Sequence, residues 1–191
     1  DPPQAMPKEY ATEISNMIPG DGTLVVREGS ISHATGVGSG SVDTLMSYEA
    51  AGSSKLLAAS STNIYDATSS GAATSLVGSM TNGRWDWAMM NNTMGLVNGD
   101  DAPQVYDGTT VSAMTVSGSG LTTSDLIGIP FHIGRSSFWP DDSVDLWYSA
   151  LNTLGGTLTA FPLSRVSRRG GKLLTMQSMS PTGAAGDDFQ Q

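Results

Sequence analysis

A self-similarity of about 41 residues constrains this chain more than any other feature. Three segments carry an aromatic strand centre at matching phase: Asn63–Thr68, Gln104–Thr109 and Asp145–Ala150, with tyrosines at 65, 106 and 148. Upstream of each lies a short apolar run: Leu56–Ala59, Gly95–Asn98 and Ser137–Trp139. Further upstream sits another: Leu45–Tyr48, Trp87–Met90 and Phe131–Ile133. A fourth comes after each tyrosine: Ala73–Val77, Val111–Val116 and Leu158–Leu163. Turn formers separate them, among them Gly52-Ser53-Ser54, Ser69-Ser70-Gly71, Asn98-Gly99-Asp100-Asp101, Gly118-Ser119-Gly120 and Gly155-Gly156. Each period therefore reads strand, strand, strand, strand, with no helical pattern between. That is an all-β pattern, and four strands in roughly 40–45 residues is the period of a β-propeller blade.

At the ends the pattern is partial. Leu173–Met176 starts a fourth copy that dissolves into Ser180–Gly186, and residues 22–34 match the late half of a copy. The expectation is an N-terminal arm over 1–21, antiparallel four-stranded blades over 22–179, and a C-terminal loop over 180–191. This reads as an incomplete propeller continuing beyond Gln191, in which Thr23–Arg27 pairs with Leu173–Met176 or with residues C-terminal to it. Within the arm, Tyr10, Ile14, Met17 and Ile18 fall at helical spacing before Pro19-Gly20, so either a short helix or an extended arm fits.

The chain has 191 residues, enough for a real core, and only 14% of them are charged. A net charge of −9 argues against duplex-DNA binding, which needs Lys and Arg to neutralise phosphates. With no cysteine, disulfides and Cys-based zinc sites are excluded. No apolar run approaches the roughly 20 residues of a membrane helix, and no signal-peptide core is visible.

Candidate chemistry is thin, and no catalytic residue, cofactor or metal site is predicted. His33 and His132 are the only histidines and sit in different copies, so nothing forces a nucleophile–base pair. The doublets Asp100-Asp101, Asp141-Asp142 and Asp187-Asp188 offer oxygen ligands, yet no full calcium loop is present, and solvated turns account for them. Gly36–Gly40 lacks the Lys and helix of a phosphate loop. Trp85, Trp87, Trp139 and Trp147 lie in strand patterns and read as packing between blades, with a sugar platform as the alternative. Arg165, Arg168, Arg169 and Lys172 are 4 of the 9 basic residues, a possible subunit or DNA contact, or a plain exposed turn.

The order of segments resembles β-propeller tail proteins of tailed bacteriophages, the tail hub (DNA-stabilisation) and nozzle proteins. The resembling stretches are Ile14–Pro19, Val26–Gly29, Ser54–Ala59 with Ile64–Asp66, Thr81–Trp85, Val97–Thr109, Leu146–Tyr148 through Gly155-Gly156 to Phe161–Leu163, and Arg169–Gly171. The sequence departs from the family at Ser164-Arg165, where Gly-Gly is more usual. The resemblance implies a non-enzymatic virion protein, assembled in the host cytoplasm as a hexameric ring below the portal and adaptor. It would contact other tail proteins, touch genomic DNA transiently, and close the channel until ejection. A carbohydrate-binding or glycoside-cleaving propeller is the alternative, and a bacterial adhesin repeat a second one.

Overall fold

The computed structural model describes residues 17–19, 24–27, 29–167, 169–179 and 189–190, and the chain divides into two units, Asp1–Ser32 and His33–Gln191. In the first unit, β1 (Met17–Pro19) and β2 (Leu24–Val26) form an antiparallel pair, with Met17 opposite Val26. Met17 and Ile18 are therefore extended rather than helical, in keeping with the β-branched Ile18, Val25 and Val26 on the two strands. Tyr10 and Ile14 lie outside the described residues. Leu24–Val26 pairs with Met17–Pro19, and Leu173–Met176, the expected partner of Thr23–Arg27 together with the residues C-terminal to it, contains no strand. Instead the Leu173 N–H donates to the Ser143 carbonyl at 2.7 Å, which ties that segment to a loop.

The second unit opens with β3 (Ala34–Thr35), which pairs in parallel with β7 (Gly71–Ala72). It then builds three antiparallel sheets. The first runs β4 (Thr44–Ala50), β5 (Ser53–Ser60), β6 (Asn63–Asp66) and β8 (Thr74–Val77). The second runs β9 (Asp86–Met90), β10 (Thr93–Val97), β11 (Gln104–Tyr106) and β12 (Val111–Ala113). After β13 (Val116–Ser117), the third has a first strand broken into β14 (Leu126–Gly128) and β15 (Phe131–His132), then β16 (Arg135–Pro140), β17 (Leu146–Tyr148) and β19 (Thr159–Phe161). The break falls at Pro130, which has no N–H to give, although its carbonyl still accepts from Ser137 N–H at 2.9 Å. β18 (Gly156–Thr157) pairs in parallel with β13, as β7 does with β3. β20 (Ser178–Met179) and β21 (Phe189–Gln190) form a separate antiparallel pair.

Tight turns join the first and second strands of each sheet. Asn91 (φ 48°) and Asn92 (φ 62°) take left-handed conformations in the second sheet, and Ile133 (φ 42°) and Gly134 (φ 74°) do so in the third. Both pairs have the two positive φ values of the turn that matches strand twist. The link from second to third strand differs: residues 61–62 in the first sheet, 98–103 in the second and 141–145 in the third. A long return through residues 67–73 in the first sheet restores the spacing.

The sheets pack face to face through two apolar cores. Met46, Tyr48, Leu57, Ala59 and Ile64 of the first sheet meet Met94, Leu96 and Tyr106 of the second, with Trp85 from the connection. The opposite face of the second sheet, with Ala88 and Met90, meets Leu126, Phe138 and Trp147 of the third. First strands of neighbouring sheets lie against each other, β4 with β9, and β9 with β14 and β15.

All three tyrosines sit in third strands, opposite Ala58, Met94 and Ser137 respectively. They do not all face the same way. Tyr106 points toward the preceding sheet, as a member of the first core, whereas Trp147 holds that position in the third sheet and Tyr148 points to the other face. Successive strand residues alternate faces, so a one-residue offset reverses the direction. The structural counterpart of Tyr106 is thus Trp147.

Candidate functional site

The outward face of the third sheet carries the most distinctive surface of the second unit. His132, Ile133, Arg135, Ser137, Leu146, Tyr148 and Phe161 line a shallow concavity of about 480 Å³. Strand pairing puts them together: Ser137 stands opposite Tyr148, Leu146 opposite Phe161, and Arg135 opposite His132. The Arg135 guanidinium lies 5.3 Å from the centre of the Tyr148 ring and donates to the Ser149 carbonyl at 2.7 Å. Its orientation is therefore held by a cation–π contact and a backbone bond together. Around it, Ile133 is 61% exposed and Phe161 51%.

A second, more polar concavity of about 380 Å³ is lined by Asp86, Trp87 and Trp139 together with Leu174–Gln177. There the Asp86 carboxylate accepts the Ile129 N–H at 2.8 Å. Partial burial pushes its pKa up, against the opposing pull of the Ile129 and Trp87 N–H groups. Trp139 is buried with its ring over Gly128, where a Cβ would collide with it. Trp85 and Trp147 are core residues, so three of the four tryptophans are inside.

The histidines are not brought together as a catalytic pair: His33 Nε2 lies 3.1 Å from the Ala67 carbonyl and 3.3 Å from that of Thr68, beside the first sheet, while His132 lies in the third. Gly38, in the glycine-rich run, lies against Ser60 and the Tyr65 hydroxyl, so that run packs on the first sheet.

Of the basic set, Arg165 ends a short 3₁₀ turn, Leu163–Arg165, and is exposed, as is Arg169. Lys172 is engaged by Asp141 at 3.0 Å and Asp142 at 3.4 Å. The bonds raise the Lys172 pKa and lower that of Asp141. Arg168 lies outside the described residues. One of the three described cations is thus already neutralised locally.

The doublet Asp100-Asp101 has a structural task. Asp101 accepts from Thr81 N–H at 2.7 Å, Thr81 Oγ1 at 2.8 Å and Asn98 Nδ2 at 2.6 Å, while Asn82 Nδ2 donates to Asp100 at 2.5 Å. Partial burial works to raise the Asp101 pKa, but the Asn98, Thr81 and Asn82 donors outweigh it and hold the carboxyl below its ordinary value of 3.8. The network pins the connection before the second sheet to that sheet's own loop. Asp187-Asp188 lies outside the described residues, and among the described residues no three His, Asp or Glu side chains gather as a metal site.

Sequence signals for the open face were partial. The apolar run Phe131–Ile133 and the Tyr148 motif were visible, but the opposite facing of Tyr148 and Trp147 is a register property that only pairing reveals. Compared with known proteins, the chain matches no family model, no curated protein and no solved structure.

Proposed function

We propose that this chain is a structural component of a tailed-phage virion, part of a tail hub or nozzle, and that its three sheets are successive blades of a β-propeller. The observation that carries the reading is the ordered stack of four-stranded antiparallel sheets, packed face to face with their first strands adjoining. In a propeller the first strands line the axis and the fourth strands form the rim. Two continuous apolar cores suit a rigid, load-bearing wall. A net charge of −9 suits a channel past which DNA slides, since fixed negative charge offers phosphate no anchor. On this reading the chain is not an enzyme, works as a homo-oligomer next to portal, adaptor and other tail proteins, and helps retain and then release the genome. Quantitative mass spectrometry of purified particles tests it. The expected result is this polypeptide at a fixed copy number per virion; its absence from particles that retain their tails overturns the proposal.

The carbohydrate-binding reading has one observation in its favour, the concavity in which Tyr148 and Phe161 stand beside Arg135. Saccharide binding on a glycan array, abolished by Tyr148→Ala, would favour it over the virion reading.

A further inference from the structure

We propose that the polar concavity beside Asp86, Trp139 and Leu174–Gln177 binds a neutral saccharide or similar polyol, held by a hydroxyl that donates to the Asp86 carboxylate and accepts from the Trp139 indole N–H. The inference stands apart from the virion reading. It needs neither a closed propeller nor a second copy, since every residue it uses belongs to the second unit of this chain.

Consecutive residues of the third sheet bring the two groups together. Trp139 stands opposite Gly128, and its ring lies on that glycine, where a Cβ would collide with it. The next residue, Ile129, donates its N–H to Asp86 Oδ2 at 2.8 Å. Carboxylate and indole are thus anchored one residue apart. The carboxylate has capacity left. It accepts from the Ile129 and Trp87 N–H groups, whereas an ionised carboxylate offers about four acceptor positions. Among the described residues no Lys or Arg pairs with it.

The indole N–H is the opposite case. Trp139 is buried, and its Nε1 has no acceptor among the described residues. Trp85 and Trp147 share that condition, but both belong to the inter-sheet cores, whereas Trp139 lines the concavity. Buried donors are as a rule paired, so an acceptor reaching Trp139 from the concavity fits. Asp86, Trp87, Ile127 and Trp139 stand on strands; Leu174–Gln177 does not, and it is the wall that can adjust to admit one.

The pair selects its ligand by elimination. An ammonium group would satisfy Asp86 and leave the indole N–H unpaired. A carboxylate or phosphate would meet the N–H and be repelled by Asp86. A hydroxyl donates and accepts at once, and so serves both. The volume, about 380 Å³, falls in the range of small-ligand sites, and Thr175 and Gln177, exposed on the rim, offer further polar partners.

The test uses the isotope-labelled full chain. Two-dimensional NMR resolves the tryptophan indole N–H signals, and Trp139→Phe assigns that of Trp139. The probes are glucose, galactose, mannose and N-acetylglucosamine, with glucosamine and glucuronate as charged controls. At least one neutral sugar should shift the Trp139 indole and Ile129 backbone signals, saturating at about millimolar concentration. Trp139→Phe keeps a ring and removes the N–H, so it should weaken binding about tenfold or more, read at Ile129. Thr175→Trp fills the concavity from an exposed segment and should abolish binding with the sheets intact, whereas Tyr148→Ala should leave it unchanged. No shift of the Trp139 signal with any neutral sugar at tens of millimolar overturns the proposal, as does tighter binding of glucosamine or glucuronate. Binding lost with Tyr148→Ala and kept with Thr175→Trp also overturns it, and moves the sugar to the concavity beside Arg135. None of these outcomes alters the copy number in particles, which tests the virion reading separately.

Discussion

The two inter-sheet cores solve the same packing problem with different materials. Between the first and second sheets the filling is flexible methionine and paired tyrosine. The rings of Tyr48 and Tyr106 meet edge to face at 5.0 Å, and the Tyr48 hydroxyl donates across the interface to the Asn92 carbonyl at 2.7 Å. Burial pushes the Tyr106 phenol up to about 12, helped by the charges of Asp66 and Asp107, so it stays neutral throughout the ordinary pH range. Between the second and third sheets the filling is Phe138, Trp147, Met90 and aliphatic side chains, brought so close that a Cβ on Gly95 would lie 2.6 Å from Ile129 Cδ1. Both interfaces share a polar hook. The opening residue of a first strand bonds the backbone next to the following sheet's first strand, with Trp85 N–H, just before β9, donating to Thr44 Oγ1 at 3.0 Å and Ile129 N–H, in the break between β14 and β15, to Asp86 Oδ2 at 2.8 Å. Spacing and direction are therefore set by backbone hooks, while side-chain filling is free to vary.

The largest expected effect lies in the tighter interface. Phe138→Ala removes a fully buried ring and should cost about 3–5 kcal/mol, read as a fall in the denaturant midpoint at constant slope. In the same interface Gly95→Val should cost about 1–3 kcal/mol by overpacking against Ile129 and Leu154. An equal loss from adding and from removing volume would show that this interface tolerates no repacking, unlike the methionine-rich one.

At the first interface the tyrosine hydroxyl is the feature to break. Tyr48→Phe should cost about 1–2 kcal/mol, since it leaves the Asn92 carbonyl without that donor. Gly108 has φ 97° and lies under the same hydroxyl, where a Cβ would approach Tyr48 Oη to 2.7 Å. Gly108→Ala should therefore be destabilising alone and less so on the Tyr48→Phe background. Additive losses in that double-mutant cycle would show that the close approach is not what demands glycine.

The two aspartates at these connections should respond to acid with opposite sign. Asp101 is held below 3.8 in the folded chain, so its contribution is present above the ordinary aspartate range and is lost as pH falls through the folded value. Asp101→Asn should remove that acid-labile part and destabilise the protein at neutral pH. Asp86 is raised, so its charge opposes folding at neutral pH and protonation relieves that cost as pH falls. Asp86→Asn, whose amide oxygen can still accept from Ile129, should be neutral or stabilising at pH 7. Urea titrations of both variants across pH 3–7 would show the two trends diverging. The smallest effect belongs to Lys172→Ala, since solvent screens an exposed ion pair such as Lys172–Asp141 and the denaturant midpoint should barely move.

Strand positions were legible because apolar runs and turn residues are local signals. The four runs around Tyr65, at 45–48, 56–59, 63–68 and 73–77, fall on β4, β5, β6 and β8. The features that were not legible are carried by backbone alone or by register. The parallel pairs of β3 with β7 and β13 with β18 involve two residues a strand and leave no side-chain pattern. Apolar residues at Leu173 and Leu174 imitate a strand start, yet the segment is held to the loop at Ser143 rather than to a strand. Lys172 looked free beside three arginines because its partners, Asp141 and Asp142, come from a loop far earlier in the chain.

Whether the three sheets radiate from an axis can be measured directly by distances between spin labels. One pair of labels belongs on the first strands of the outer sheets, at Leu45→Cys and His132→Cys, and another on the fourth strands, at Ser75→Cys and Thr159→Cys. Sheets that fan out as propeller blades predict a clearly shorter distance for the first-strand pair than for the fourth-strand pair. Equal distances, as in a flat stack, or a shorter distance between the fourth strands, would contradict it.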